Sequence, residues 1–314
     1  MNRLALGEAG SIVTVGTFDG VHRGHRAVLD VMARDAQATG RQSVLACFEP
    51  HPLAVVNPAA APARLTTAAE RLAALACCAL DRVLVLGFEA AMARLEAEEF
   101  VEQVLVGQCA MRRLVIGHDH RFGRGRRGDV ALLRTMGTSL GFTVDVVPAV
   151  ASDGQSVSST AIRRAVAGGD LDTAARLLGR RYTVSAMVEA GERRGRTIGF
   201  PTLNLGIPER KLLPPDGVWA VRVETPAGRF GGMMNQGHRP TFGDGRRLLE
   251  VHLFGFEGDL YDRHVRVEWV APLRAIRRFD GVAALRQQLE QDGTRARAAL
   301  AAATTDLDAP LAPE

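Results

Sequence analysis

The chain has 314 residues, 46% of them apolar and 24% charged, a balance that excludes a disordered chain and leaves enough sequence for two separate cores. Its formal net charge is only +4 and the basic residues are spread throughout, which argues against a nucleic-acid partner despite a pI of 9.2. The longest apolar stretch, Leu72 to Leu80, stops at Asp81 and is too short to cross a bilayer, and Met1 to Gly10 lacks the pattern of a secretory leader, so a cytoplasmic, membrane-free protein is expected.

From Ser11 to about Pro148, aliphatic and β-branched runs alternate with segments of helical period. The expected strands are Ile12 to Gly16, Ser43 to Phe48, Arg82 to Gly87, Leu114 to Gly117 and Thr143 to Val147; the expected helices are His22 to Ala38, Ala68 to Ala79, Ala97 to Val106 and Gly128 to Leu140. This rhythm predicts an α/β domain with a doubly wound parallel sheet, in which ligands bind beyond the carboxyl ends of the strands. Two short helices are expected between Ser158 and Leu178, with a domain boundary near Arg181. Beyond it come strands separated by Gly, Pro and Asp turns: Thr183 to Glu189, Val218 to Glu224, Phe230 to Asn235, Leu248 to Phe254 and Val265 to Val270. They predict an antiparallel barrel or sandwich, closed by a helix over Gly281 to Leu300 and trailed by a disordered tail, 301–314.

Four cysteines, Cys47, Cys77, Cys78 and Cys109, show no CxxC spacing and read as thiols in a reducing compartment. A Walker A loop is absent, and Lys211 is the only lysine available to any lysine-dependent chemistry.

The first strand leads from Gly16 into Thr17-Phe18-Asp19-Gly20-Val21-His22-Arg23-Gly24-His25, an HxGH motif at the start of a helix. His22 and His25 share one face of the first turn, Gly24 lets a phosphate approach the backbone, and the helix N-terminus favours the charge that builds on a triphosphate under attack. Three further segments fall at strand ends or helix starts. In Phe48-Glu49-Pro50-His51-Pro52 the prolines hold the chain extended so that His51 faces the site, or they build a rigid turn. Gly117 to Gly128, with Asp119, Phe122 and several arginines, suits a loop that covers a phosphorylated ligand, or a solvated basic loop. In Val157-Ser158-Ser159-Thr160-Ala161-Ile162-Arg163 the hydroxyls suit an N-cap, and Arg163 one turn on favours phosphate binding.

Together, GTFDGVHRGH, FEPHP, GHDHRFGRGRRGD and VSSTAIR resemble the FMN adenylyltransferase module of bacterial bifunctional FAD synthetases, in the family's order and over most of the first 180 residues. The resemblance implies a Rossmann-like nucleotidyltransferase domain over 1–181. It implies in-line attack of the FMN phosphate on the α-phosphorus of ATP with Mg²⁺ present, His22 and His25 stabilising the transition state and the departing pyrophosphate. Gly16, Asp19, Gly24, Ser159, Thr160 and Arg163 then bind ATP or its phosphates, and His51, Asp119 and Phe122 contact flavin.

The second half carries Gly191 to Asn204, a glycine-rich stretch with Gly195 and Gly199 that ends in Pro201-Thr202-Leu203-Asn204. Glycines let backbone amides wrap phosphates without a Walker lysine, and Thr202 and Asn204, two apart on an extended segment, present oxygens to one side as a hard cation requires. Further on, Leu249-Glu250-Val251-His252-Leu253 alternates as a half-buried strand. From about Tyr182 to Arg297 the chain resembles riboflavin kinase, which implies a β-barrel kinase domain over 182–300 with Glu250 as general base on the ribityl 5′-hydroxyl. By the same resemblance Thr202 and Asn204 bind the metal of ATP, and Asn235 and Arg274 contact flavin.

The implied ligands are riboflavin, FMN, FAD and ATP/ADP, with self-association left open. Departures from the family are Thr17 for asparagine, His120 for phenylalanine, Trp219 for tyrosine, Gln236 for isoleucine and Ile276 for a glutamate. They leave two alternatives: a relative that has lost one activity or takes a flavin analogue, and a non-catalytic flavin- or nucleic-acid-binding regulator.

Overall fold

The computed structural model describes residues 9–118, 122–123, 128–191, 195, 198–238 and 247–303. It divides into two compact units, one of residues 1–63 and 71–159, the other of residues 64–70 and 160–314.

In the first unit, β1 (Ser11–Gly16), β2 (Gln42–Glu49), β3 (Arg82–Gly87), β4 (Met111–Gly117) and β5 (Thr143–Val147) form a parallel sheet in the order β3-β2-β1-β4-β5. The helices of this part of the chain are α1 (Arg23–Thr39), α2 (Pro52–Val56), α3 (Ala68–Ala76), α4 (Ala90–Arg94), α5 (Ala97–Phe100) and α6 (Val130–Leu140), with a π-helical continuation of α5 over Val101–Gln108. The two-residue period of the strands sorts the sheet into two cores. Val13, Val15, Val44, Ala46, Leu114 and Ile116 point to the side covered by α5, its continuation and α6. Ile12, Leu45, Cys47 and Val115 point to the other side, where α1 contributes Val28, Leu29 and Met32, and α3 contributes Ala74 and Leu75. The sheet is therefore doubly wound, as its alternating sequence predicts, and the HxGH turn follows the carboxyl end of β1.

A two-stranded hairpin, β6 (Ala151–Ser152) with β7 (Gln155–Ser156), leads into α7 (Ser159–Gly168) and α8 (Leu171–Leu178). The division between compact units falls at 159/160, and α8 packs on the barrel strand β13 (His264–Arg274). The other barrel strands are β8 (Thr183–Glu189), β9 (Leu203–Leu205), β10 (Gly217–Thr225), β11 (Gly228–His238) and β12 (Arg247–Leu253). They close in the order β10-β11-β12-β9-β8-β13, so the barrel reading holds over the sandwich. The last element is α9 (Val282–Ala302); residues 304–314 of the expected disordered tail lie outside the described residues.

Residues 64–70 belong to this second unit. Lys211, the sole lysine, donates to Glu70 Oε2 at 2.6 Å and to the Leu65 carbonyl at 2.7 Å, while Glu70 Oε1 accepts from the Ser185 amide at 2.6 Å. The Lys211 side chain is thus consumed in a buried structural ion pair.

Gln236 is fully buried inside the barrel, away from the outer face that carries Asn235. Its Nε2 donates to the carbonyls of Pro214 and, at 3.1 Å, Pro215, and its Oε1 accepts from Trp269 Nε1 at 3.2 Å. Trp219 Nε1 also donates to the Pro215 carbonyl, at 3.3 Å. These two departures from the family pattern therefore brace the Pro214–Pro215 turn from within the barrel. Replacing Gln236 by leucine leaves Trp269 Nε1 without its acceptor and is expected to destabilise the fold by about 1–3 kcal/mol, read as a lower urea midpoint at unchanged slope.

Candidate active sites

β1 delivers the chain from Gly16 into a turn whose backbone is strained: Phe18 and Val21 have φ of 49° and 40°, a region that β-branched valine strongly disfavours. Tight packing holds it. Val21 is fully buried, its amide donates to the Phe18 carbonyl at 3.1 Å, and Asp19 is only 4% exposed. The imidazoles of His22 and His25 stack at 3.6 Å and 12°, and Phe18 stacks on His25 at 4.5 Å. His22 is the N-cap of α1, its Nδ1 accepting from the His25 amide at 3.2 Å. That bond requires Nδ1 to be unprotonated, so neutral His22 carries its proton on Nε2 as a donor.

The structure brings Ser159 to this turn across 140 residues of sequence, its hydroxyl donating to the Asp19 carbonyl at 2.9 Å. A Cβ on Gly24 would stand a tight 3.2 Å from the His22 ring and in ordinary contact, at 3.6 Å, with the Val157 carbonyl. Thr160, exposed, and Arg163, partly buried, occupy the first turns of α7. His51 caps α2, its Nδ1 accepting from the Leu53 amide at 3.1 Å. Phe122 is buried against Phe100 at 6.0 Å and forms an isolated antiparallel bridge with Gly128. Asp119 lies outside the described residues, as do His120 and 124–127.

Arg71 is a functional candidate that sequence reasoning missed. It is 2% exposed and donates to the Thr17 carbonyl, the Phe48 carbonyl and Glu49 Oε2. The available signal was its place beside Ala74 and Leu75 on the apolar face of α3, where an arginine needs partners.

In the second unit, strand register aligns the predicted residues. Asn235 faces Glu250, Glu250 faces Asn204, and Asn204 faces Glu189, forming one row across β11, β12, β9 and β8. Their neighbours Met234, Leu249, Val251, Leu205 and Val188 fill the barrel, so the row lies on its outer surface. Asn235 Nδ2 donates to Glu250 Oε2 at 3.3 Å, orienting the carboxylate. Two residues on, His252 Nδ1 lies 2.8 Å from the Pro201 carbonyl and so donates to it, holding the segment that carries Thr202.

Asn204 is 9% exposed, and its Oδ1 is buried with no hydrogen-bond partner among the described residues. An orphaned carbonyl-type oxygen two residues along the chain from the Thr202 hydroxyl fits a hard cation such as Mg²⁺. Gly191 and Gly195 pack close to these residues. A Cβ on Gly191 would overlap the Asn204 amide, while one on Gly195 would overlap the Phe200 carbonyl and stand 3.4 Å from Thr202 Oγ1. The Gly195 carbonyl accepts from the amides of Phe200 at 2.8 Å and Ile198 at 3.3 Å, and Gly199 takes φ +85°. Gly191→Ala must displace the Asn204 side chain; if this barrel carries the kinase activity that its resemblance implies, FMN formation falls about 10-fold or more, the scale of a misplaced catalytic group, with a higher Mg²⁺ requirement in a metal titration.

Arg274 makes a two-pronged pair with buried Asp292 of α9, Nε to Oδ2 at 2.9 Å and Nη2 to Oδ2 at 2.8 Å. Ile276 is exposed and lies over Gly237.

A doubly wound unit with HxGH at its first strand end, joined to a barrel bearing an Asn–Glu–Asn row, defines a two-headed phosphate-transfer enzyme. The FAD synthetase family matches residues 6–161 and the riboflavin kinase family residues 178–300. Bifunctional riboflavin kinase/FMN adenylyltransferases share 41% identity from Pseudomonas fluorescens, over 92% of this chain and 93% of the relative, and 39% from Escherichia coli K12, with the same coverage. The Bacillus subtilis relative is 32% identical over 91% of each chain. A solved structure described as a macrolide-efflux protein from Streptococcus pneumoniae superposes with a TM-score of 0.82 at 31% identity, covering 94% of this chain and 97% of that one. Among the described residues no helix is long and apolar enough to cross a membrane. This chain belongs to the bifunctional riboflavin kinase/FMN adenylyltransferase family.

Proposed function

We propose that the chain makes FAD from riboflavin in two ATP-dependent steps, residues 182–300 forming FMN and ADP and residues 1–181 forming FAD and pyrophosphate. The observation that carries this reading is that each unit holds its own constellation: the HxGH turn with Ser159 in one, the Asn235–Glu250–Asn204 row in the other.

In the kinase step Glu250, oriented by Asn235, accepts the proton of the ribityl 5′-hydroxyl as that oxygen attacks the γ-phosphorus of ATP. Thr202 and Asn204 would hold Mg²⁺, which supplies charge neutralisation on the ATP phosphates. Gly195 and Gly199 let the loop close over those phosphates. In the second step the FMN phosphate attacks the α-phosphorus of ATP and pyrophosphate leaves. The Nε2–H of His22, with His25 stacked on it, donates to the oxygens on which charge develops. The α1 N-terminus beside Gly16, Asp19 and Gly24 supports the triphosphate, with Ser159 held at the same turn. His51, Asp119 and Phe122 are assigned to FMN, and Asn235 and Arg274 to riboflavin; Arg274 serves that end through its pairing with Asp292. We place the enzyme in the cytoplasm, with no nucleic acid or membrane among its partners.

The test is to give the purified chain riboflavin or FMN separately, each with Mg·ATP, and to separate products by chromatography. FMN and FAD are expected from riboflavin, and FAD with pyrophosphate from FMN. If neither substrate is converted, the reading is wrong; if only one is, the chain has specialised.

A further inference from the structure

We propose that Arg71 is a positioning residue for adenylyl transfer, fixing the HxGH turn through the backbone where β1 leaves the sheet. This rests on the adenylyl-transfer reading of that turn.

The parallel ladder between β1 and β2 ends at Gly16↔Cys47. One residue further on, the Thr17 and Phe48 carbonyls have passed the last paired position between these strands. Arg71 bridges the gap: Nη1 donates to the Thr17 carbonyl at 3.1 Å and Nη2 to the Phe48 carbonyl at 3.1 Å. Nη2 also pairs with Glu49 Oε2 at 2.9 Å. A planar guanidinium can span three acceptors in this way, and a point-charged ammonium cannot reproduce the same fork.

The backbone immediately after Thr17 is where a brace is needed. Phe18 and Val21 hold unfavourable positive φ values, a conformation that persists only where the surroundings over-determine it. Phe18 carries the ring on which His25 stacks, and His25 in turn stacks on His22. A continuous path therefore runs from Arg71 through Thr17 and Phe18 to both histidines. Burying a cation here is costly, its one carboxylate partner, Glu49, being 27% exposed, and Arg71 Nε has no hydrogen-bond partner among the described residues. Ala74 and Leu75 of the same helix bury apolar side chains, whereas Arg71 reaches the carbonyl that immediately precedes Phe18.

The experiment compares Arg71→Met and Arg71→Lys with the wild-type chain, measuring kcat and KM for FAD formation from FMN, kcat for FMN formation from riboflavin, and the thermal midpoint. The expected result for Arg71→Met is a fall in kcat for FAD formation of about 10- to 100-fold, the scale of an ångström-sized misplacement, with KM for ATP and FMN within about threefold. FMN formation should be unchanged, and Arg71→Lys should recover part of the lost kcat. Arg71→Met with wild-type kcat for FAD formation overturns the proposal. So does a rise in KM alone, or a loss of both activities that tracks the thermal midpoint. If Arg71→Met does not fold, Arg71→Lys decides: a selective fall in kcat for FAD formation supports the proposal, and wild-type rates in both steps overturn it. A wild-type chain that makes no FAD from FMN would instead remove the underlying reading.

Discussion

Replacing His25 by alanine is expected to lower FAD formation from FMN by about 10²–10³-fold, the usual loss when one preorganised donor to a developing oxyanion is removed. His25 does more than add its own ring. It stacks between Phe18 and His22, and its backbone amide fixes the Nδ1 of His22 as an acceptor, which leaves Nε2–H for the phosphates. The alanine variant keeps that amide and loses the stack, so His22 remains capped but is less well oriented. FMN formation from riboflavin should continue at the wild-type rate, because the Asn235–Glu250–Asn204 row belongs to the other compact unit. Initial rates with each flavin, measured on one preparation, check both statements. Equal loss of the two activities would argue against separate sites.

Replacing Glu250 by glutamine should have the reciprocal effect, lowering FMN formation by about 10²–10⁴-fold while FAD formation from FMN is retained. Glutamine keeps the length of the side chain and an oxygen that accepts from Asn235 Nδ2, so the row on the barrel surface stays intact. Only the capacity to take a proton is removed. Barrel stability should change little, since Glu250 is partly exposed and its neighbours Leu249 and Val251 supply the buried contacts. A glutamine variant with wild-type kcat for FMN formation would show that the 5′-hydroxyl loses its proton elsewhere.

The layers of this fold are legible in the sequence where burial leaves a periodic trace. The strands Arg82–Gly87, Thr143–Val147 and Thr183–Glu189 have the bounds expected of them, since aliphatic runs bounded by polar turns leave little choice of register. β9 leaves no such trace and is absent from the expected strands. Its three residues lie in the segment read as extended from PTLN, but their pairing with β8 and β12 depends on partners that local propensity cannot reveal. β13 continues past Val270 through Pro272 to Arg274 for a similar reason, because pairing with β10 outweighs the proline.

The sites divide in the same manner. HxGH and PTLN are legible because each is local, a set of residue types at fixed spacing. The row that joins Asn235, Glu250 and Asn204 depends on register between strands far apart in sequence and emerges only from the assembled barrel. Gln236 stands out in the sequence as a departure bearing on flavin preference, yet alternation turns it inward to Trp269, where its amide braces a turn. Arg71 resembles any other helical arginine in the linear chain, and its role depends on two carbonyls that only the folded sheet places side by side.

Mixing the two variants shows whether one chain carries two independent transfer sites. Neither His25→Ala nor Glu250→Gln alone should make appreciable FAD from riboflavin and Mg·ATP within the time that the wild-type chain completes the conversion. An equimolar mixture should make FAD, with FMN released by the first variant and consumed by the second. A mixture that accumulates FMN without FAD, although Glu250→Gln converts added FMN, would contradict free exchange between independent sites. A mixture that makes neither product would contradict both transfer activities of this chain.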